Sequence, residues 1–185
     1  MYLTGIIDMG VFICSPEDYY STDQCIKRGI NRDANAWIYD IIQNSFQKEP
    51  WEHLIYNDDR WSLVFHKTFK KILIVFKDRA LQSLRDLRAR HIPLLFDIRK
   101  VVTDLILQSP YIFGLQEQDL TTPKLDFYFH YHPTVFQLHA HVVVNDSRPK
   151  IACRCHDFRH VIRNLRTSSS YYKDALILSQ LGKQS

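Results

Sequence analysis

Residues 125–144 read LDFYFHYHPTVFQLHAHVVV. Two apolar/polar alternations flank His132-Pro133-Thr134-Val135, and a period of two marks each as a strand. In Phe136–Val144, one face carries Phe136, Leu138, Ala140, Val142 and Val144. That face is wholly apolar and belongs on a core. The other face carries Gln137, His139, His141 and Val143. In Leu125–Tyr131, Leu125, Phe127, Phe129 and Tyr131 share one face, and Asp126, Tyr128 and His130 the other. A hairpin with Tyr131 opposite Phe136 would set His130 against Gln137, Tyr128 against His139 and Asp126 against His141. Opposed residues lie on one face of a sheet. The pattern therefore predicts a polar patch of three His, a Tyr, an Asp and a Gln on an otherwise buried scaffold. A one-residue slip would put the polar set into the core.

Outward from this pair, Ala36–Phe46 has helical spacing, with Trp37 and Ile41, and Ile38 and Ile42, at i,i+4. Pro50 stops it. His53–Tyr56, Trp61–Phe65 and Lys71–Phe76 read as short strands, with Asn57-Asp58-Asp59 as a turn. Arg88–Gln108 reads as a long helix, with Ile92, Leu95, Val102, Leu105 and Ile106 as its buried stripe. Arg99, Lys100 and Asp104 form its wet side. A last helix is expected over Asp157–Leu165. Gly5–Ser15 could hold a strand, whereas Ser15–Asn35 has turn-like composition without a clear period. The sum is an α+β fold, an antiparallel sheet of about five strands with flanking helices. Residues 1–35 read as a short appendage of unclear role and 36–185 as the main domain, which carries the polar face.

The chain has 185 residues, 45% of them apolar, so a single globular domain is expected. Aromatics at 13% suit a compact core or a base-stacking pocket. The formal charge of +4 favours an anionic ligand such as a nucleotide. The basic residues are interspersed rather than gathered into a dense patch, which argues against extended nucleic-acid binding. With only five Gly, and neither a P-loop nor a G-x-G-x-x-G motif, a glycine-rich phosphate cradle is excluded. Cys14, Cys25, Cys153 and Cys155 form no disulfide framework. Cys153-Arg154-Cys155-His156 lacks the second arm of a zinc cluster, and no metal or cofactor is expected. No apolar run is long enough to span a membrane, and no signal peptide is evident, so a cytoplasmic or nuclear location with reduced thiols is expected.

Three readings of the polar face stand side by side. An H-x-H on a strand is often only the wet side of a sheet. Alternate His can chelate zinc, though a third ligand of fixed geometry is not evident. The third reading is phosphate chemistry. A neutral imidazole attacks phosphorus without prior deprotonation near pH 7. A second His two residues along can bond a phosphate oxygen or supply a proton. His130 and Tyr128, opposite so apolar a core face, favour this third reading.

Gln137-Leu138-His139-Ala140-His141-Val142-Val143 resembles the H-φ-H-φ-H-φ-φ signature of the histidine-triad (HIT) superfamily. The chain is more closely similar to the scavenger mRNA-decapping enzymes (DcpS-like). WIYDII at 37–42, SLRDLRARHIPLL at 83–95, FYFHYHPTVFQLHAHV at 127–142 and VIRNL at 161–165 carry the likeness in that order, over about residues 36–178. The resemblance implies a HIT-like fold and hydrolysis of the triphosphate bridge of 7-methylguanosine caps, on cap dinucleotides or short capped RNA. It implies His139 as the nucleophile and His141 as the third triad His. His130, Arg154 and Lys67 would be phosphate-binding. Trp37 would stack on the cationic methylated base, for which an aromatic face suits. Glu49 or Glu52 would pair with the guanine edge. A homodimer follows by the same analogy. Gln137 replaces the first triad His. That position supplies a backbone carbonyl to orient the central imidazole, which any residue can do. The large N-terminal half of the family is represented here by only about 35 residues.

Overall fold

The computed structural model describes residues 6–7, 11–21, 36–43, 52–67, 70–121, 123–133, 135–145 and 154–180. Fourteen helices and strands are named here in chain order: β1 (Ile6–Ile7), β2 (Val11–Cys14), α1 (Pro16–Tyr20), α2 (Ala36–Ile42), β3 (Glu52–Asn57), β4 (Trp61–His66), β5 (Lys71–Phe76), α3 (Ile92–Gln108), β6 (Leu125–His130), β7 (His139–Val144), β8 (Cys155–Asp157), α4 (Phe158–Thr167), α5 (Tyr171–Asp174) and β9 (Ile177–Gln180). Strands β3 to β8 form one antiparallel sheet in the order β3-β4-β5-β7-β6-β8, and β1, β2 and β9 form a second, smaller one. The fold is α+β, as the alternation predicted. The main sheet has six strands rather than about five, because β8 pairs on the outer side of β6.

The apolar sides of β4, β5, β6 and β7 bring Leu63, Phe65, Ile72, Ile74, Phe127, Phe129, Ala140 and Val142 into one buried cluster. Helix α3 covers it with Leu95, Ile98, Val102 and Ile106, and α4 with Phe158, Val161, Ile162 and Leu165. Helix α3 starts at Ile92, four residues later than the periodicity suggests. Pro93 sits in its first turn, where a missing N–H costs nothing, and the preceding residues wind as two 3₁₀ turns. Its wet side behaves as expected, with Lys100 and Asp104 paired at 2.8 Å. Asp157 caps α4 by accepting from the Arg159 N–H at 2.7 Å.

The opposite face of the sheet carries a second, smaller cluster. Helix α2 lays Ile38 and Ile41 on Val64, Val75 and Val135 there. The expected continuation of this helix over 44–46 lies outside the described residues.

Ser15–Asn35 read as turn-like, yet it opens with a helix. The Ser15 hydroxyl accepts the Asp18 N–H, and the Asp18 carboxylate accepts the Ser15 N–H, a reciprocal capping box that starts α1. Cys14 and Tyr19 are buried in the main cluster. Strand β2 pairs with β9, so the ends of the described chain meet in one sheet.

Candidate active site

The β6–β7 pairing differs from the expected register by two residues. Tyr128 faces His141 rather than His139, Asp126 faces Val143 rather than His141, and Phe129 faces Ala140. Strand β7 begins at His139, not Phe136. The reason lies in Tyr131. Its N–H bonds the Arg154 carbonyl at 3.0 Å, and its hydroxyl accepts from buried Arg85 at 2.8 Å. Tyr131 is thus bound outside the β6–β7 ladder, which ends at the Phe129–Ala140 pair. A shift of two keeps every side chain on its face. The three His and Tyr128 keep their shared patch with different neighbours, and Gln137 leaves it.

His139 is held most directly. Its Nδ1 lies 2.9 Å from the Gln137 carbonyl oxygen. That bond assigns the proton to Nδ1 and leaves Nε2 with its lone pair free, the tautomer a nucleophile requires. The His141 ring lies 5.4 Å from that of His139, measured between centroids. His130 lies 4.2 Å from His141. Tyr128 stacks on His141 at 5.4 Å and 15°. The His141 Nε2 is buried without a protein hydrogen-bond partner.

Burial keeps these rings neutral. It pushes His139 below the usual imidazole range, with the Gln137 carbonyl pulling the other way. It drives His141 well below that range, reinforced by His130, His139, Lys71 and Arg154. His130 is pushed down to about 4 by burial and then by the Arg154 charge, with His139, Lys71 and His156 adding to the effect. A half-buried surface that disfavours cationic imidazole and is flanked by permanent cations is prepared for an anion.

The other expected site residues divide. Arg154 stands beside β8 and acts electrostatically on both His130 and His141, and its Nε is buried without a protein partner. It thus joins the patch. Lys67 is exposed in the turn after β4, where its carbonyl accepts the Lys70 N–H, and it is not among the charges that shift these histidines. Lys71 is the lysine that does so. It stands on β5 two residues before Leu73, which faces His141, so strand alternation puts it on the histidine face. The sequence carried the signal, a charged residue opening an apolar strand in phase with Leu73 and Val75. Trp37 belongs to α2, the helix that rests on Val75, and Val75 faces His139. Glu52 opens β3 opposite His66, which in turn faces Lys71. Glu49 lies outside the described residues.

The Gln137 side chain does not face the patch. It is 1% exposed, and its Nε2 donates to the carbonyls of Phe76 at 2.7 Å and Asp78 at 3.0 Å. Its contribution to the patch is the backbone carbonyl that holds His139.

An m7GpppX diphosphatase of Sus scrofa is 30% identical over 104 residues, which is 55% of this chain and 28% of that protein. The chain therefore matches little more than a quarter of the length of that relative. The family model for scavenger mRNA decapping enzyme C-term binding matches residues 36–156, the span from α2 through the histidine strand to β8. That span is well over half of the chain and contains every element that builds the patch, and by this match the chain belongs to the scavenger mRNA decapping enzyme family.

Proposed function

We propose that the protein hydrolyses the triphosphate bridge of 7-methylguanosine cap dinucleotides or short capped RNA through a covalent phosphohistidine on His139, as a histidine-triad hydrolase. The observation that carries this reading is the bond from His139 Nδ1 to the Gln137 carbonyl, which leaves Nε2 free on a face flanked by Arg154 and Lys71. Nε2 attacks the phosphorus attached to the methylated nucleoside. A nitrogen–phosphorus bond forms as the bond from that phosphorus to the bridging oxygen breaks, and a nucleoside diphosphate leaves. Its departing oxygen is a phosphate oxygen, so a hydrogen bond from His141 suffices to steady the developing charge. Arg154 and Lys71 offset the remaining negative charge, and neutral His130 donates a hydrogen bond to a phosphate oxygen. Water then cleaves the nitrogen–phosphorus bond, releasing 7-methyl-GMP and restoring neutral His139. Trp37 would stack on the methylated base, with Glu52 or Glu49 on the guanine edge.

The test is incubation with methylated and unmethylated guanosine cap dinucleotides, followed by product identification. The reading expects 7-methyl-GMP and a nucleoside diphosphate, with strong preference for the methylated substrate. Equal rates on both substrates would point instead to a general dinucleoside polyphosphate hydrolase. Binding without turnover would point to a cap-binding module.

A further inference from the structure

We infer that the Gln137 side chain is a positioning residue for the proposed nucleophile, acting from behind the strand through two backbone carbonyls. The inference rests on the assignment of His139 as the reactive group. The carbonyl that orients His139 belongs to a residue just before β7, outside the regular ladder. Something other than strand pairing must fix it. Four hydrogen bonds tie this point to the end of β5 and the residues just after it. The Phe76 N–H donates to the Leu138 carbonyl at 3.1 Å, and the Leu138 N–H donates to the Leu81 carbonyl at 2.7 Å. The other two come from the Gln137 amide, to the Phe76 and Asp78 carbonyls.

The chemistry at this position is demanding. Two carbonyl oxygens converge on one nitrogen, so the residue must present two N–H groups from one atom. A primary amide does so, whereas an imidazole has at most one N–H on each nitrogen. Glutamate has the same shape and no donor, and would set a carboxylate against two carbonyls. Without that donor the buried Phe76 carbonyl is left unpaired, and the segments that meet there must shift to satisfy it. Here the moving backbone is the one that holds His139 Nδ1. Gln137 is thus fitted to its site as a double donor, and its amide stabilises the tautomer of a ring it does not touch.

The test uses protein labelled with ¹⁵N in its histidines, compared among wild type, Gln137→Glu, Gln137→Met and Gln137→His, with His139→Asn to assign the signal. Ring-nitrogen spectra need no substrate, so they read positioning even if the proposed reaction is wrong. Wild type is expected to show a single Nδ1–H tautomer at His139. Gln137→Glu and Gln137→Met are expected to show mixed tautomers. Turnover of a cap dinucleotide should fall about tenfold or more with KM within about twofold, as for a misplaced reacting group. The acid limb of kcat/KM should move to lower pH, since the lost bond had raised the His139 pKa. Gln137→His, with one donor, should recover part of the loss. If Gln137→Glu does not fold, Gln137→Met and Gln137→His carry the comparison. A folded Gln137→Met with a wild-type ring spectrum would overturn the inference, as would a Gln137→His as impaired as Gln137→Met.

Discussion

Arg85 offers the sharpest test of how the two ends of the chain are tied to the site. Its side chain is 0% exposed and donates Nε to the Tyr131 hydroxyl at 2.8 Å, Nη2 to the Cys14 carbonyl at 2.8 Å, and Nη1 to the Tyr172 and Ala175 carbonyls at 3.1 and 3.0 Å. It also lies over the Tyr19 and Tyr131 rings. One guanidinium thus joins β2, the segment around α5 and the residue after His130. Hydrogen bonds from a charged group contribute about 1.5–3 kcal/mol each, so these four amount to roughly 6–12 kcal/mol gross. Removing the charge returns a desolvation cost of several kcal/mol. The net for Arg85→Met, which keeps the volume and strands four acceptors, is a loss of about 3–5 kcal/mol. Against a total stability of roughly 5–15 kcal/mol this is a large fraction. In urea titration, with a slope near 2 kcal/mol/M, the midpoint should drop by about 2 M without a change of slope. Arg85→Lys should lose roughly half as much, since one ammonium cannot reach all three segments. An Arg85→Met within about 1 kcal/mol of wild type would refute the reasoning, because it would mean that the carbonyls find other donors at no cost.

Three further outcomes follow from the charges. Since burial lowers the His139 pKa from its usual 6.5, the midpoint of the acid limb of kcat/KM on a cap dinucleotide should lie below pH 6.5; a midpoint at or above pH 6.5 would contradict the neutral resting site. His130 and His156 are both pushed by burial to about 4, from 6.5 in the unfolded chain, so the unfolded state binds the extra protons. Their contribution is therefore fully present above pH 6.5, is lost between about 6.5 and 4, and is level below that, by at most roughly 3 kcal/mol for each. Denaturation at stepped pH should show this fall, and His156→Leu should flatten it by about half. Lys71→Ala should raise KM for a cap dinucleotide about tenfold, worth ~1.4 kcal/mol, while Lys67→Ala stays within about twofold. The reverse order would restore Lys67 to the phosphate site.

The sequence made the central strand pair, its two faces and its helical cover legible because alternation with period two and spacing near 3.6 are properties of consecutive residues. The resemblance to the histidine-triad signature supplied the orienting carbonyl of Gln137, which depends only on chain order, whereas alternation set the Gln137 side chain on the histidine face, where it does not lie. The exact register was not legible. It is set by Tyr131, whose partners Arg85 and Arg154 come from distant parts of the chain. A two-residue shift leaves the hydrophobic pattern unchanged, so the pattern could not detect it. Strands β8 and β9 are too short for periodicity to carry a signal. The start of α1 is legible in Ser15-Pro16-Glu17-Asp18, which spells a capping box. The position of Lys67 along the chain does not settle a phosphate-facing role, which depends on which face of which strand a lysine occupies. By that criterion Lys71 qualifies.

The central claim is that His139 forms a bond to phosphorus. The direct measurement is mass spectrometry of the protein after rapid mixing with a methylated cap dinucleotide and quenching under alkaline conditions, where phosphohistidine survives. The account predicts an adduct with the mass of a 7-methylguanosine monophosphoryl group, mapped to the peptide containing His139 and absent in His139→Ala. It also predicts that turnover in His139→Ala is lost. Undiminished turnover in His139→Ala, or an adduct on His141 or His130 instead, would contradict it.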